Sequence, residues 1–146
     1  MAYDYYIGID PGVKTGYALW SRSLKKFCYI SSDTITKTMD WVKWVASEVA
    51  KSDNPSSLFI RVEDARKRKW FGPGSKAKLQ GAGSIKRDCK MWESFLTEQK
   101  IPFEMVDPKD MKGFTKLDQD VFRKMAKWDK STNEHSRDAA MLVLGR

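Results

Sequence analysis

Apolar residues recur along this chain with two different periods, and each change of period marks a change of element. Tyr5-Tyr6-Ile7-Gly8-Ile9-Asp10 is a short, nearly continuous apolar run followed by Pro11 and Gly12, the pattern of a buried strand ending in a turn. Residues 16–21 and 26–35 read as second and third strands rich in β-forming side chains. The links between these three are short, which predicts an antiparallel meander. Over residues 38–51 the spacing becomes helical, with Met39, Val42, Val45, Ala46 and Val49 on one face, and Asp53-Asn54-Pro55 closes the helix. Leu58 to Glu63 reads as a fourth strand; with a helix before it, it should return parallel to the first.

Residues 64–82 read as a long basic loop carrying Trp70, Phe71, Gly72, Pro73 and Gly74. A structureless segment of that length in a small domain is usually functional or disordered. Ser84 is placed to cap the next helix, whose expected core face is Ile85, Cys89, Trp92, Phe95 and Leu96. Pro102 to Val106 gives a short fifth strand, followed by a helical piece at 108–112 and a helix from Asp118 to Trp128. Ser131 and Glu134 match a capping box for a final helix running to the end of the chain. The order predicts an α/β fold in one domain over residues 1–146. Its sheet is five-stranded and mixed, three antiparallel strands and then parallel ones, flanked by helices.

Composition narrows the class. A hydrophobic fraction of 41% over 146 residues suits one packed core, and 32% charged residues of both signs is too mixed for a disordered tail. No apolar run approaches membrane-spanning length, and the charged, strand-like start is unlike a signal peptide, so the expected location is the cytoplasm. Cys28 and Cys89 sit among apolar neighbours and read as reduced core thiols; no Cys/His spacing fits zinc. The net charge of +8 is concentrated: residues 61–90 hold ten Lys and Arg against three acids, a balance of +7. A basic patch of that density is the footprint of a polyphosphate partner.

Four residues resist assignment to an ordinary surface. Asp10 ends the first strand, Glu63 ends the fourth, and His135 and Asp138 lie three apart on one face of the last helix. Each has an ordinary explanation alone: a turn-former before Pro-Gly, a strand-end salt bridge, a lone surface histidine. Together they suggest something else. If the first and fourth strands are adjacent and parallel, Asp10 and Glu63 emerge side by side at their carboxyl ends, where open α/β sheets place ligands. Close carboxylates repel unless one is protonated or a cation lies between them. Oxygen donors of this kind favour Mg²⁺, and a pair of such ions can drive phosphodiester hydrolysis; Mn²⁺ is expected to substitute.

Ile7-Gly8-Ile9-Asp10-Pro11-Gly12, with Thr15-Gly16-Tyr17-Ala18 after it, resembles the opening of the RuvC-type Holliday-junction resolvases. The resemblance implies a ribonuclease-H-like fold along nearly the whole chain. It implies metal-binding and catalytic roles for Asp10, Glu63, His135 and Asp138, the last two within Glu134-His135-Ser136-Arg137-Asp138. Some members carry Asp and others His at the position of His135. It further implies a Mg²⁺-dependent homodimer that nicks two strands of four-way DNA symmetrically, and the short chain suggests a compact phage form. The basic segment brings Arg66, Lys67, Arg68, Lys69, Lys76, Lys78 and Lys86 as DNA-binding candidates, with Trp70 or Phe71 as the loop's aromatic. The family's lysines after the fifth strand fall among Lys109, Lys112 and Lys116. Trp41, Trp44, Met91 and Trp92 exceed what one small core needs, so some should cover a partner surface; the resemblance implies that this surface lies on the helix at 84–99. The rival readings are another ribonuclease-H-like nuclease, such as a YqgF-like RNA-processing enzyme, and a non-catalytic nucleic-acid-binding module.

Overall fold

A computed structural model of the chain describes residues 2–51, 55–67 and 76–146, with the side chains of 76–82 outside the description. The strands are β1 (Tyr5–Asp10), β2 (Lys14–Ser21), β3 (Lys26–Thr34), β4 (Leu58–Glu63) and β5 (Phe103–Val106). The helices are α1 (Ile35–Lys51), α2 (Lys76–Glu98), α3 (Gln119–Ala126) and α4 (Glu134–Met141), with short 3₁₀ turns at Ala65–Lys67 and Pro108–Met111. The strands form one five-stranded sheet in the order β3-β2-β1-β4-β5. β1, β2 and β3 pair antiparallel, while β4 lies parallel to both β1 and β5. This is the expected mixed sheet, and the helices between β3 and β4 and between β4 and β5 make the parallel returns possible.

Alternation along the strands builds two cores, one on each face of the sheet. Ile7, Ile9, Ile60 and Val62 pack against Val42 and Val45 of α1 and Trp92 and Leu96 of α2. On the opposite face Tyr6, Ala18 and Trp20 pack against Phe122 of α3 and Leu142 and Val143 after α4. Among the described residues no helix is long and apolar enough to cross a membrane.

Several boundaries differ from the sequence expectation. Helix α2 begins at Lys76, so the segment expected to be loop to residue 82 is partly helical, and Ser84 is an interior residue rather than a cap. Lys-Ala-Lys-Leu-Gln favours helix, and each interior glycine costs only about 1 kcal/mol, which a long helix absorbs. Ile85 is exposed, whereas Cys89, Trp92 and Leu96 are buried as expected. Trp92 fills this chain's own core, so it is not available to a partner; Trp44 and Met91 are exposed. Cys28 is exposed rather than a core thiol. The last helix is capped by Asn133, not Ser131: Asn133 Oδ1 accepts from Ser136 N at 2.9 Å, and Ser136 Oγ accepts from Asn133 N at 3.1 Å. It ends at Met141 and gives way to turns rather than continuing to the terminus.

Helix α4 lies almost on the sheet backbone. An added Cβ at Gly8 would stand 2.0 Å from Ala139 O, and one at Gly16 would stand 2.0 Å from His135 O. Both obstacles are backbone, which cannot swing aside as a side-chain tip can. Gly8→Ala and Gly16→Ala should therefore each destabilise the protein by about 1–3 kcal/mol, the usual cost of overpacking. Gly83→Ala is the control. It sits in α2 with nothing among the described residues within 4 Å of its added Cβ, and there alanine should raise stability. Thermal unfolding checks all three, and wild-type stability in either packed-glycine variant would contradict the close approach.

Candidate active site

Because β1 and β4 are parallel with Ile9 opposite Val62, the next residues, Asp10 and Glu63, are neighbours at the carboxyl edge of the sheet. In β1 the side chains of Ile7 and Ile9 belong to the α1/α2 face, so Asp10 alternates to the face that carries α4. In β4 Ile60 and Val62 do the same, so Glu63 shares that face.

The first turns of α4 bring the other two residues over this edge. His135 Nδ1 lies 3.3 Å from Asp10 Oδ2. Either group can donate: the carboxyl O–H when Asp10 is protonated, the ring N–H when Asp10 is ionised. Asp138 is fixed from the other side, where Lys116 N donates to its Oδ1 at 2.8 Å. Arg137 holds the approach to α4, its Nε donating to Leu117 O at 2.8 Å and its Nη1 to Thr132 O at 3.0 Å. Asn133 Nδ2 donates to Ser32 Oγ at 2.6 Å and so ties the start of α4 to β3.

The electrostatics follow from crowding carboxylates in a poorly hydrated corner. Burial pushes the Asp10 carboxyl up from the ordinary value of 3.8 to about 8, and the nearby charges of Glu63, Asp138 and Glu134 push in the same direction. Burial also raises Asp138, against the lowering effect of the Lys116 amide. Among the described residues no three acidic, His or Cys side chains converge tightly enough to form a ready-made metal cage. The donor set itself, the carboxylates of Asp10, Glu63 and Asp138 with the His135 imidazole, is of the kind that takes a hard divalent cation.

Beside Glu63 a second charge cluster fixes the root of the basic segment. Asp64 is buried and accepts from Arg66 at Nε (2.7 Å) and Nη2 (2.9 Å). Arg66 in turn reaches both Glu93 oxygens on α2, each at 3.2 Å. The Arg66 guanidinium thus joins the end of β4 to α2, and much of its charge is matched within the fold. Lys67 Nζ donates to Met105 O at 2.9 Å. Lys86, Lys109, Lys112 and Lys116 are exposed. Arg68, Lys69, Trp70 and Phe71 lie outside the described residues, as do the side chains of Lys76 and Lys78.

Sequence reasoning thus named the four central side chains. It did not foresee Glu134 as a third carboxylate acting on Asp10, because its position also suits a cap. It left Lys109, Lys112 and Lys116 undistinguished, and it is Lys116 whose backbone meets Asp138. Nor did it assign Gly8 and Gly16 their steric role or Arg66 its partners.

No protein-family model and no curated sequence matches the chain. Solved structures do. RuvC of T. thermophilus in complex with a Holliday-junction substrate shares 13% identity, covering 96% of this chain and 90% of that one, at a TM-score of 0.58. A second structure of Thermus thermophilus RuvC gives 13% identity, 96% and 91% coverage and a TM-score of 0.44. The yeast mitochondrial Holliday-junction resolvase gives 10%, 94%, 75% and 0.41. The first of these similarities establishes that the chain has the RuvC-type, ribonuclease-H-like fold.

The raised Asp10 carboxyl has a signed consequence for stability. With its folded value near 8 and its unfolded value near 3.8, the folded state binds the proton more tightly between those pH values. Its contribution is fully present below about pH 4 and is lost as pH rises toward about 8. Asp10→Asn should therefore be more stable than wild type at pH 8 in metal-free buffer, and the gap should close toward pH 4. Equal pH dependence in the two proteins would remove Asp10 from the crowded site.

Proposed function

We propose that this chain is a Mg²⁺-dependent endonuclease that resolves four-way DNA junctions by paired nicks, acting as a homodimer. One observation carries the reading. On a RuvC-type fold, Asp10, Glu63, His135 and Asp138 gather at one sheet edge, and the Asp10 carboxyl is pushed up to about 8 by burial and like charge.

Such an edge is costly without a cation and becomes favourable with one. Asp10, Glu63 and Asp138 are the residues that would hold divalent ions, with His135 available at the ring nitrogen facing Asp10. Held by these residues, divalent ions would supply positive charge for water activation and for stabilising a leaving oxygen in phosphodiester hydrolysis. The Lys116 amide orients the Asp138 carboxylate, and the exposed Lys109, Lys112 and Lys116 offer positive charge to the DNA backbone beside it. His135 Nδ1, within hydrogen-bond distance of Asp10 Oδ2, orients that carboxyl. A four-way junction presents two equivalent strands about a two-fold axis, which a C₂ dimer matches. Trp44 and Met91 are exposed apolar groups available for a subunit surface.

Incubation with Mg²⁺ and four-way DNA, linear duplex or RNA–DNA hybrid tests the reading. Cleavage of the four-way substrate should require the metal and be abolished in Asp10→Asn, Glu63→Gln and Asp138→Asn, each of which should still bind DNA. His135→Ala should lose most activity and His135→Asp should keep part of it. Cutting confined to the RNA–DNA hybrid would replace the resolvase reading with an RNA-processing one. Full activity in a carboxylate variant would remove that residue from the site.

Sedimentation at micromolar concentration, with and without junction DNA, addresses the subunit count. The expected species is a dimer; a monomer that binds DNA one-to-one would exclude paired cutting by a symmetric pair.

A further inference from the structure

The loop between Met111 and Leu117 carries an exposed aromatic side chain that neither core uses. Phe114 is 48% exposed and belongs to neither hydrophobic cluster, whereas Met111 before it is buried and Leu117 after it packs against the α4-side core. The loop is pinned by the helix that carries the catalytic candidates. Lys116 N donates to Asp138 Oδ1 at 2.8 Å, and Leu117 O accepts from Arg137 Nε at 2.8 Å. Its tip is bent by left-handed backbone at Gly113 (φ 88°) and Lys116 (φ 55°).

These anchors fix where Phe114 can be. Consecutive Cα atoms are about 3.8 Å apart, so the Phe114 Cα is at most about 7.6 Å from that of Lys116, whose amide touches Asp138. Lys112 and Lys116, both exposed, flank the ring in sequence. An exposed apolar ring with exposed lysines two residues to either side, in a loop whose Lys116 amide meets Asp138, is suited to a ligand with both a π-face and a negative backbone. A nucleotide in a DNA strand has both.

We propose that Phe114 is a base-stacking residue, receiving an unpaired nucleobase of the strand whose backbone crosses Asp10 and Asp138. The assignment rests on the nuclease reading above and adds to it the contact that favours branched over continuous DNA. In an intact duplex both faces of each base are already covered by neighbours. At a branch point a base can leave the stack and meet the ring. Base–aromatic contacts of this kind are sequence-tolerant, and their loss on truncation corresponds to about 5- to 150-fold in affinity.

The experiment uses the full chain with Asp10→Asn to hold DNA uncut, and a four-way junction carrying 2-aminopurine at the branch point. Binding should quench the probe. Phe114→Ala should abolish the quench and weaken junction binding by about tenfold, within the range for a stacked base, while leaving linear duplex binding unchanged. Phe114→Trp should retain both, and Phe114→Leu neither, because leucine fills space without a π-face. Unfolding temperature and sedimentation should match the parent in all three. An unchanged quench and affinity in Phe114→Ala overturns the proposal. So does full rescue by Phe114→Leu, and so does a loss accompanied by a fall in unfolding temperature or a change in subunit count. The two readings separate cleanly. A Phe114-dependent quench in a protein whose wild type never cuts DNA defeats the nuclease and keeps the stacking residue. Junction cleavage with wild-type binding in Phe114→Ala does the reverse.

Discussion

Between the backbone of α4 and strands β1 and β2 there is no room for a single methyl group at two places, Gly8 beneath Ala139 and Gly16 beneath His135. Everything at the candidate site depends on that contact. The two residues that α4 contributes begin on its first turn, at the point where the helix backbone crosses Gly16. Even a methyl group there would force the helix backbone away from β2, and the 3.3 Å approach of His135 to Asp10 would open. Packed interiors do not absorb such changes smoothly. Asn133, held to Ser32, and Arg137, held to Leu117 and Thr132, fix the same helix from its flanks.

The close approach has an electrostatic cost that is informative about function. Bringing α4 down places Asp138 and Glu134 near Asp10, whose parallel neighbour is Glu63. The cations closest in sequence face other groups: Arg66 meets Asp64 and Glu93, Arg137 meets backbone carbonyls, and Lys67 meets Met105 O.

The basic charge accordingly divides into two kinds. Arg66 is architectural, joining the end of β4 to α2 through a buried aspartate, and its removal would leave Asp64 buried without its principal partner. The lysines at 109, 112 and 116 are exposed, and Lys116 touches the site through its amide rather than its charge. A single figure of net charge cannot distinguish these uses, because it counts cations without regard to what they face.

The linear sequence determined the sheet and the identity of its edge acids. Apolar runs ending in Asp10 and Glu63, three strands with short links, and a helix before each parallel return follow from local periodicity and chain connectivity, which a sequence carries directly. His135 and Asp138 were legible because an i, i+3 spacing puts two residues on one helical face wherever that helix lies. Tertiary structure alone decided the rest, since each remaining feature is a relation between distant segments. The clash distance at Gly16 depends on where the helix carrying His135, far along the chain, comes to rest. The burial that raises Asp10 depends on the same docking. Helix α2 reaches back to Lys76 through residues that local rules read as breakers. Whether Arg66 faces DNA or Asp64, and which lysine meets Asp138, turn on distances of a few ångströms between segments far apart along the chain, and sequence spacing does not contain them.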